Sequence, residues 1–71
     1  MKDLKEYLKR LRENVISVYE TDTRSFYIIK LNDNKYKMSE TYTPTLLADL
    51  LEYKVYTKHN LINYIKNKEA N

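Results

Sequence analysis

The chain has 71 residues, a formal net charge of +3, eight tyrosines, one histidine and neither glycine nor cysteine. Phosphate-cradling loops and nucleophile elbows need backbone that glycine supplies most cheaply, and structural metal sites draw on Cys and His, so composition argues for a binding module and against most catalytic designs. No cofactor and no metal site are expected.

Leu4, Tyr7, Leu8 and Leu11 fall at i, i+3, i+4 and i+7 with charged residues between them, which predicts an amphipathic helix. Asp3 followed by Glu6 resembles a capping box and sets the start at Asp3. Lys2, Lys5, Lys9 and Arg12 form a basic stripe on its outer face, either a solvated surface or a set of phosphate contacts.

From Val15 the period changes to two and β-branched and aromatic residues dominate, predicting strands near 15–20, 25–31 and 35–40. Residues 21–24 and 32–34 make the turns, with Asp33 or Asn34 expected in the left-handed conformation because Asn and Asp tolerate it best after glycine. The middle strand is apolar on both sides, Phe26 and Ile28 on one and Tyr27, Ile29 and Leu31 on the other, and so is expected to be covered on both. The third sets Tyr36 and Met38 against Lys35, Lys37 and Ser39, leaving one face wet and basic.

Thr43 and Pro44 predict a helix start, and Leu46, Leu47, Leu50 and Leu51 its apolar stripe, with Asp49 and Glu52 outside. After a linker over 53–56, Thr57 caps a last helix whose apolar side is Leu61, Ile62, Tyr64 and Ile65, and whose tail from Asn67 is expected to fray. The expected architecture is α+β: a helix, a three-stranded antiparallel meander and two C-terminal helices (α-β-β-β-α-α), one small domain over residues 1–71.

A core this small supplies roughly 3–5 kcal/mol, so binding or self-association is expected to contribute to stability. The lack of cysteine, of a signal-like apolar run and of any membrane-length apolar segment is read as a soluble cytoplasmic protein with no membrane partner. Heavy use of Lys, Asn, Tyr and Ile is the imprint of an AT-rich genome, as in low-GC bacteria and their phages. The expected setting is a bacterial or phage-infected cell, and part of the Lys and Asn content follows from codons.

Chemistry-bearing groups are sparse. His59 has no local carboxylate to orient it and is expected to be idle, and Asp49 with Glu52 lie where solvent keeps a carboxylate ordinary. Tyrosine joins a large apolar body to a polar tip and serves interfaces well. Tyr19, Tyr42, Tyr53 and Tyr56 fit the core pattern least well as a set and are the protein-interface candidates.

For nucleic acid the candidates are Lys5, Lys9 and Arg12 on the first helix, Lys30, Lys35 and Lys37 on the strands, and Asn60, Asn63 and Lys66 on the last helix. Ala48, Leu51 and Leu61 stand where a helix-turn-helix packs, although Glu52 and Tyr53 fill its tight turn; His59, Asn60, Asn63, Lys66 and Asn67 would form the recognition face. In element order alone, residues 15–53 also resemble the three-stranded arm-binding domains of tyrosine integrases. That resemblance implies a DNA-reading sheet face with Lys30, Lys35 and Lys37 beside Phe26 and Ile28.

The leading expectation is a non-catalytic binding protein, a phage or mobile-element accessory or inhibitor acting on a protein of nucleic-acid metabolism or defence. Direct DNA or RNA binding is the alternative. A third reading is an obligate homodimer that hides the tyrosines.

Overall fold

The computed structural model describes residues 3–42 and 47–69. Helix α1 spans Leu4–Lys9, strands β1, β2 and β3 span Ile16–Glu20, Ser25–Asn32 and Lys35–Thr41, β4 spans Lys54–Thr57, and helix α2 spans Lys58–Glu69. The strands form one antiparallel sheet in the order β1-β2-β3-β4. The class is α+β, as expected, with four strands in place of three and one C-terminal helix in place of two.

Asp3 caps α1 as its sequence predicts, its Oδ1 accepting from the Lys5 N–H at 3.0 Å. Cross-strand pairs put Tyr19 opposite Phe26 and Ile28 opposite Met38, so these side chains share one face, with Tyr36 beside them. They close a core with Leu4 and Leu8 of α1 and Leu61, Ile62 and Ile65 of α2. Both helices therefore lie on the same side of the sheet.

Three expectations about the second half are corrected. The leucine stripe after residue 46 makes a single 3-10 turn at Ala48–Leu50, after which Leu51 is extended. Leu47 and Leu50 stay 62% and 76% exposed, so the helical period of the leucines buries neither. The supposed linker is β4: Val55, Tyr56 and Thr57 are β-formers, and pairing with β3 satisfies a row of backbone groups that would otherwise lie at an open edge. α2 runs to Glu69 rather than fraying from Asn67, with the Thr57 Oγ1 accepting from the Asn60 N–H at its start. The Thr43–Pro44 helix start lies outside the described residues.

The turns also differ from expectation. Asn32 Oδ1 accepts from the N–H groups of Asn34 and Lys35 at 2.8 and 3.0 Å, so a side chain does what positive φ would otherwise do. Among the described residues, the positive φ belongs to Asn14, at 63° between α1 and β1, whose N–H donates to Lys30 O at 2.9 Å. Thr21 Oγ1 accepts from the Arg24 N–H and closes the β1–β2 turn.

A candidate docking face

Register assigns the far side of the sheet residue by residue. Ile16, Ile29, Lys37 and Val55 form one row across all four strands, and Val18, Tyr27 and Ser39 form the next. Glu20, Ser25 and Thr41 stand at one end of this face, Lys35 and Thr57 at the other.

No helix covers this side among the described residues, yet Tyr27 is only 3% exposed. The segment entering β4 reaches it. The Tyr53 hydroxyl donates to Ala48 O at 2.9 Å, bracing that segment, and Tyr53 and Tyr27 lie close enough to interact electrostatically. Burial raises the Tyr53 pKa.

Ser25 and Ser39 on the same face are buried too, at 3% and 9% exposure, so what is open lies towards the two edge strands and the Lys35–Lys37 end. Val55 is 60% exposed and Val18 37%, Ile16 and Ile29 are half-buried, and Lys35 and Lys37 are exposed. The expectation that β2 is covered on both sides is thus corrected: its Phe26 side is closed, and its Ile29 side is only partly covered.

The interface tyrosines mostly point inward. Tyr19 is 5% exposed, and its hydroxyl donates to Glu69 Oε1. Tyr56 packs against Tyr64 with ring centroids 5.8 Å apart, and Tyr53 is half-buried. Tyr42 alone of the four is exposed, at 77%, with the Arg24 guanidinium 5.4 Å from its ring centre. Arg24 Nε also lies 2.8 Å from Glu40 Oε2, an ion pair off the N–H axis, and Glu40 Oε1 accepts from the Tyr64 hydroxyl.

The nucleic-acid candidates do not share a surface. Lys5 and Lys9 sit on the helix layer, Arg12 follows the end of α1, and Lys2 lies outside the described residues. Lys30 shares the core-side face with Tyr36, its side chain 11% exposed and its Nζ 3.7 Å from Asp33. Asn60, Asn63 and Lys66 are exposed on α2, across the sheet from Lys35 and Lys37. The sheet face imagined for an arm-binding domain is divided in the same way, since Phe26 and Ile28 are fully buried beneath the helices. The helix-turn-helix pattern fails because its first helix is replaced by the 3-10 turn and β4.

His59 Nε2 lies 3.1 Å from Asn63 Nδ2, one helical turn away, as their i,i+4 spacing on α2 implies. Among the described residues no group of His, Cys, Asp or Glu is placed to hold a metal, and no helix is long and apolar enough to cross a membrane. An open groove of about 370 Å³ runs beside α1, lined by Asp3, Glu6, Tyr7, Arg10 and Leu11. Glu6 and Arg10 in its wall are ion-paired at 3.9 Å. No family model matches the chain, and no curated protein or solved structure is significantly similar to it.

Proposed function

We propose that the chain is a non-catalytic protein-binding module whose docking surface is the open face of the sheet. One observation carries the reading: the same four strands are sealed by two helices on one side and leave Val18 and Val55 exposed on the other. Exposed valines on a sheet are a cost to a free monomer and a gain to a complex, because removing apolar surface from water stabilises by about 25 cal/mol per Å². The partner class carried forward from composition is a protein of nucleic-acid metabolism or defence in a phage-infected or bacterial cell.

A second reading, direct nucleic-acid binding, is favoured by Lys35 and Lys37, both exposed on this face. It lacks a stacking platform there, since the aromatic residue that register assigns to the open face, Tyr27, is buried.

Two measurements separate these readings. Tagged protein and its Val55→Glu variant are used to capture partners from a host lysate, and anisotropy with AT-rich oligonucleotides is followed against salt. The protein reading expects a captured partner that the folded variant loses, with no oligonucleotide binding near physiological salt. Steeply salt-dependent oligonucleotide binding abolished by Lys35→Glu with Lys37→Glu would replace it with the nucleic-acid reading.

A further inference from the structure

We propose that two copies of this chain join through their β1 edges, the strands running antiparallel about a twofold axis that passes through Val18 normal to the sheet. The proposal is independent of the docking reading, since it concerns the rim of the sheet and the flank of α1 above it.

The outer edge of β1 is suited to such pairing. β1 has β2 on one side and no strand on the other among the described residues. The Thr21 N–H donates to Arg24 O at 2.9 Å, and bonded pairs alternate with unbonded ones in an antiparallel ladder, so Tyr19 with Phe26 and Ser17 with Ile28 are bonded pairs. The N–H and C=O groups of Ile16, Val18 and Glu20 therefore point outward, away from β2. Edge strands are commonly blunted by proline, lysine or a bulge, and β1 has none of these from Ile16 to Glu20. Val15 and Val18, 47% and 37% exposed, lie along the same rim. Pairing with a second β1 sets Val18 against its own counterpart and Ile16 against Glu20 of the second copy, which gives these outward groups their partners.

The helix above that edge is complementary to itself about the same axis. Asp3 lies close enough to Tyr19 to act on its hydroxyl, and past the far end of α1 the Asn14 N–H donates to Lys30 O, so α1 runs antiparallel to β1. With Leu4 and Leu8 turned to the sheet, the right-handed sense of the helix puts Asp3, Glu6, Tyr7 and Arg10 on the flank away from β2. These residues line the open groove beside α1. Tyr7 packs on Tyr19 and lies near Ser17, the two neighbours of Val18, and so stands beside the axis.

A twofold axis normal to the sheet keeps both helix layers on one side and sets the two α1 helices antiparallel across the seam. Asp3 precedes Tyr7 by about one turn and Arg10 follows it by about one, so Arg10 of each copy comes opposite Asp3 of the other. The contact of Arg10 with Glu6 is long, at 3.9 Å, and both side chains are more than half exposed, which leaves the Arg10 charge little compensated within its own copy. Strand edge and helix flank thus share one axis, as an isologous interface requires.

The test is sedimentation velocity over a concentration series with the full chain. The wild type is expected to pass from a species of 8.6 kDa to one of twice that mass. Only a residue on the axis meets its own counterpart, so Val18→Lys and Val18→Glu should each raise the dimer dissociation constant about tenfold or more. A mixture of the two should dimerise, because the lysine of one copy then faces the glutamate of the other. Circular dichroism of both should match the wild type. Arg10→Glu should weaken the dimer as well. Amide exchange reads the same edge in the unaltered protein: raising its concentration should slow exchange at Ile16, Val18 and Glu20 far more than at Ser17 and Tyr19, and this measurement decides alone if a Val18 variant loses its fold.

Val55→Glu, on the opposite edge strand, should leave the dimer intact, so a captured partner lost by that dimer concerns the docking reading alone. A wild type that stays monomeric up to millimolar concentration would overturn the proposal. So would Val18 variants that dimerise as well as the wild type, a mixture of them that recovers nothing, or a dimer abolished by Val55→Glu.

Discussion

The hydroxyl of Tyr19 on β1 donates a 2.8 Å hydrogen bond to Oε1 of Glu69 in the last turn of α2, joining the first strand to the end of the last helix across 50 positions. Tyr19 also packs on Tyr7 with ring centroids 5.2 Å apart, and its own ring borders Phe26. One side chain therefore ties α1, the sheet and α2 together. Tyr19→Phe keeps the ring contacts and removes the bond, with an expected loss of about 1 kcal/mol in urea unfolding and faster amide exchange in the last turn of α2. Glu69→Gln should cost less, and the double variant less than the sum of the two.

Alkaline pH should weaken the fold through two tyrosines. Tyr19 is pushed up to about 12, chiefly by burial and then by its bond to Glu69. Tyr64 is pushed up to about 12, chiefly by its bond to Glu40 and then by burial. A folded-state pKa above the unfolded value near 10 means that the native state holds its protons more tightly, so this contribution is complete below pH 10 and is lost as pH rises towards about 12. Urea midpoints measured over that window should fall, and the fall should be shallower in Tyr64→Phe. A midpoint unchanged from pH 9 to 12 would refute the assignment.

Glu40 serves two partners at once, holding Arg24 in an ion pair and accepting from Tyr64. The two charged side chains are each about one-fifth exposed, so removing one leaves the other poorly hydrated. Glu40→Ala is expected to destabilise by about 2 kcal/mol, more than Tyr64→Phe alone, by equilibrium denaturation. If Glu40→Ala proves as mild as Tyr64→Phe, Arg24 finds water instead.

Two asparagines have opposite expected responses to glycine. At Asn14, with φ at 63°, Asn14→Gly should be neutral to slightly stabilising and Asn14→Ala should cost about 1 kcal/mol. At Asn32 the side chain is the turn's acceptor, so Asn32→Gly should destabilise by about 1 kcal/mol through the loss of two hydrogen bonds. Thermal melts of the four single variants Asn14→Gly, Asn14→Ala, Asn32→Gly and Asn32→Ala decide both cases.

The interface candidates show where residue type misleads. A sequence marks Tyr19, Tyr53 and Tyr56 as amphipathic, but the contacts that turn them inward are set by the fold: Glu69, 50 positions away, accepts from Tyr19, Ala48 O accepts from Tyr53, and the ring of Tyr64 packs on Tyr56. The leucines after residue 46 mislead for the converse reason. Helical periodicity is a local signal, and a helix in water needs a face to bury, whereas Leu47 and Leu50 stay exposed and only a 3-10 turn forms.

By itself the sequence determined the class of fold, the Asp3 cap, the first three strands with their two turns and the apolar side of the last helix, because each is written in spacing and capping within a few residues. Only the tertiary structure decided that residues 54–57 join the sheet, that both helices crowd onto one side, and that Val18, Val55, Lys35 and Glu20 share the other. Alternation along a strand says which residues are companions; only the packing of distant elements decides which companions are covered and which meet solvent.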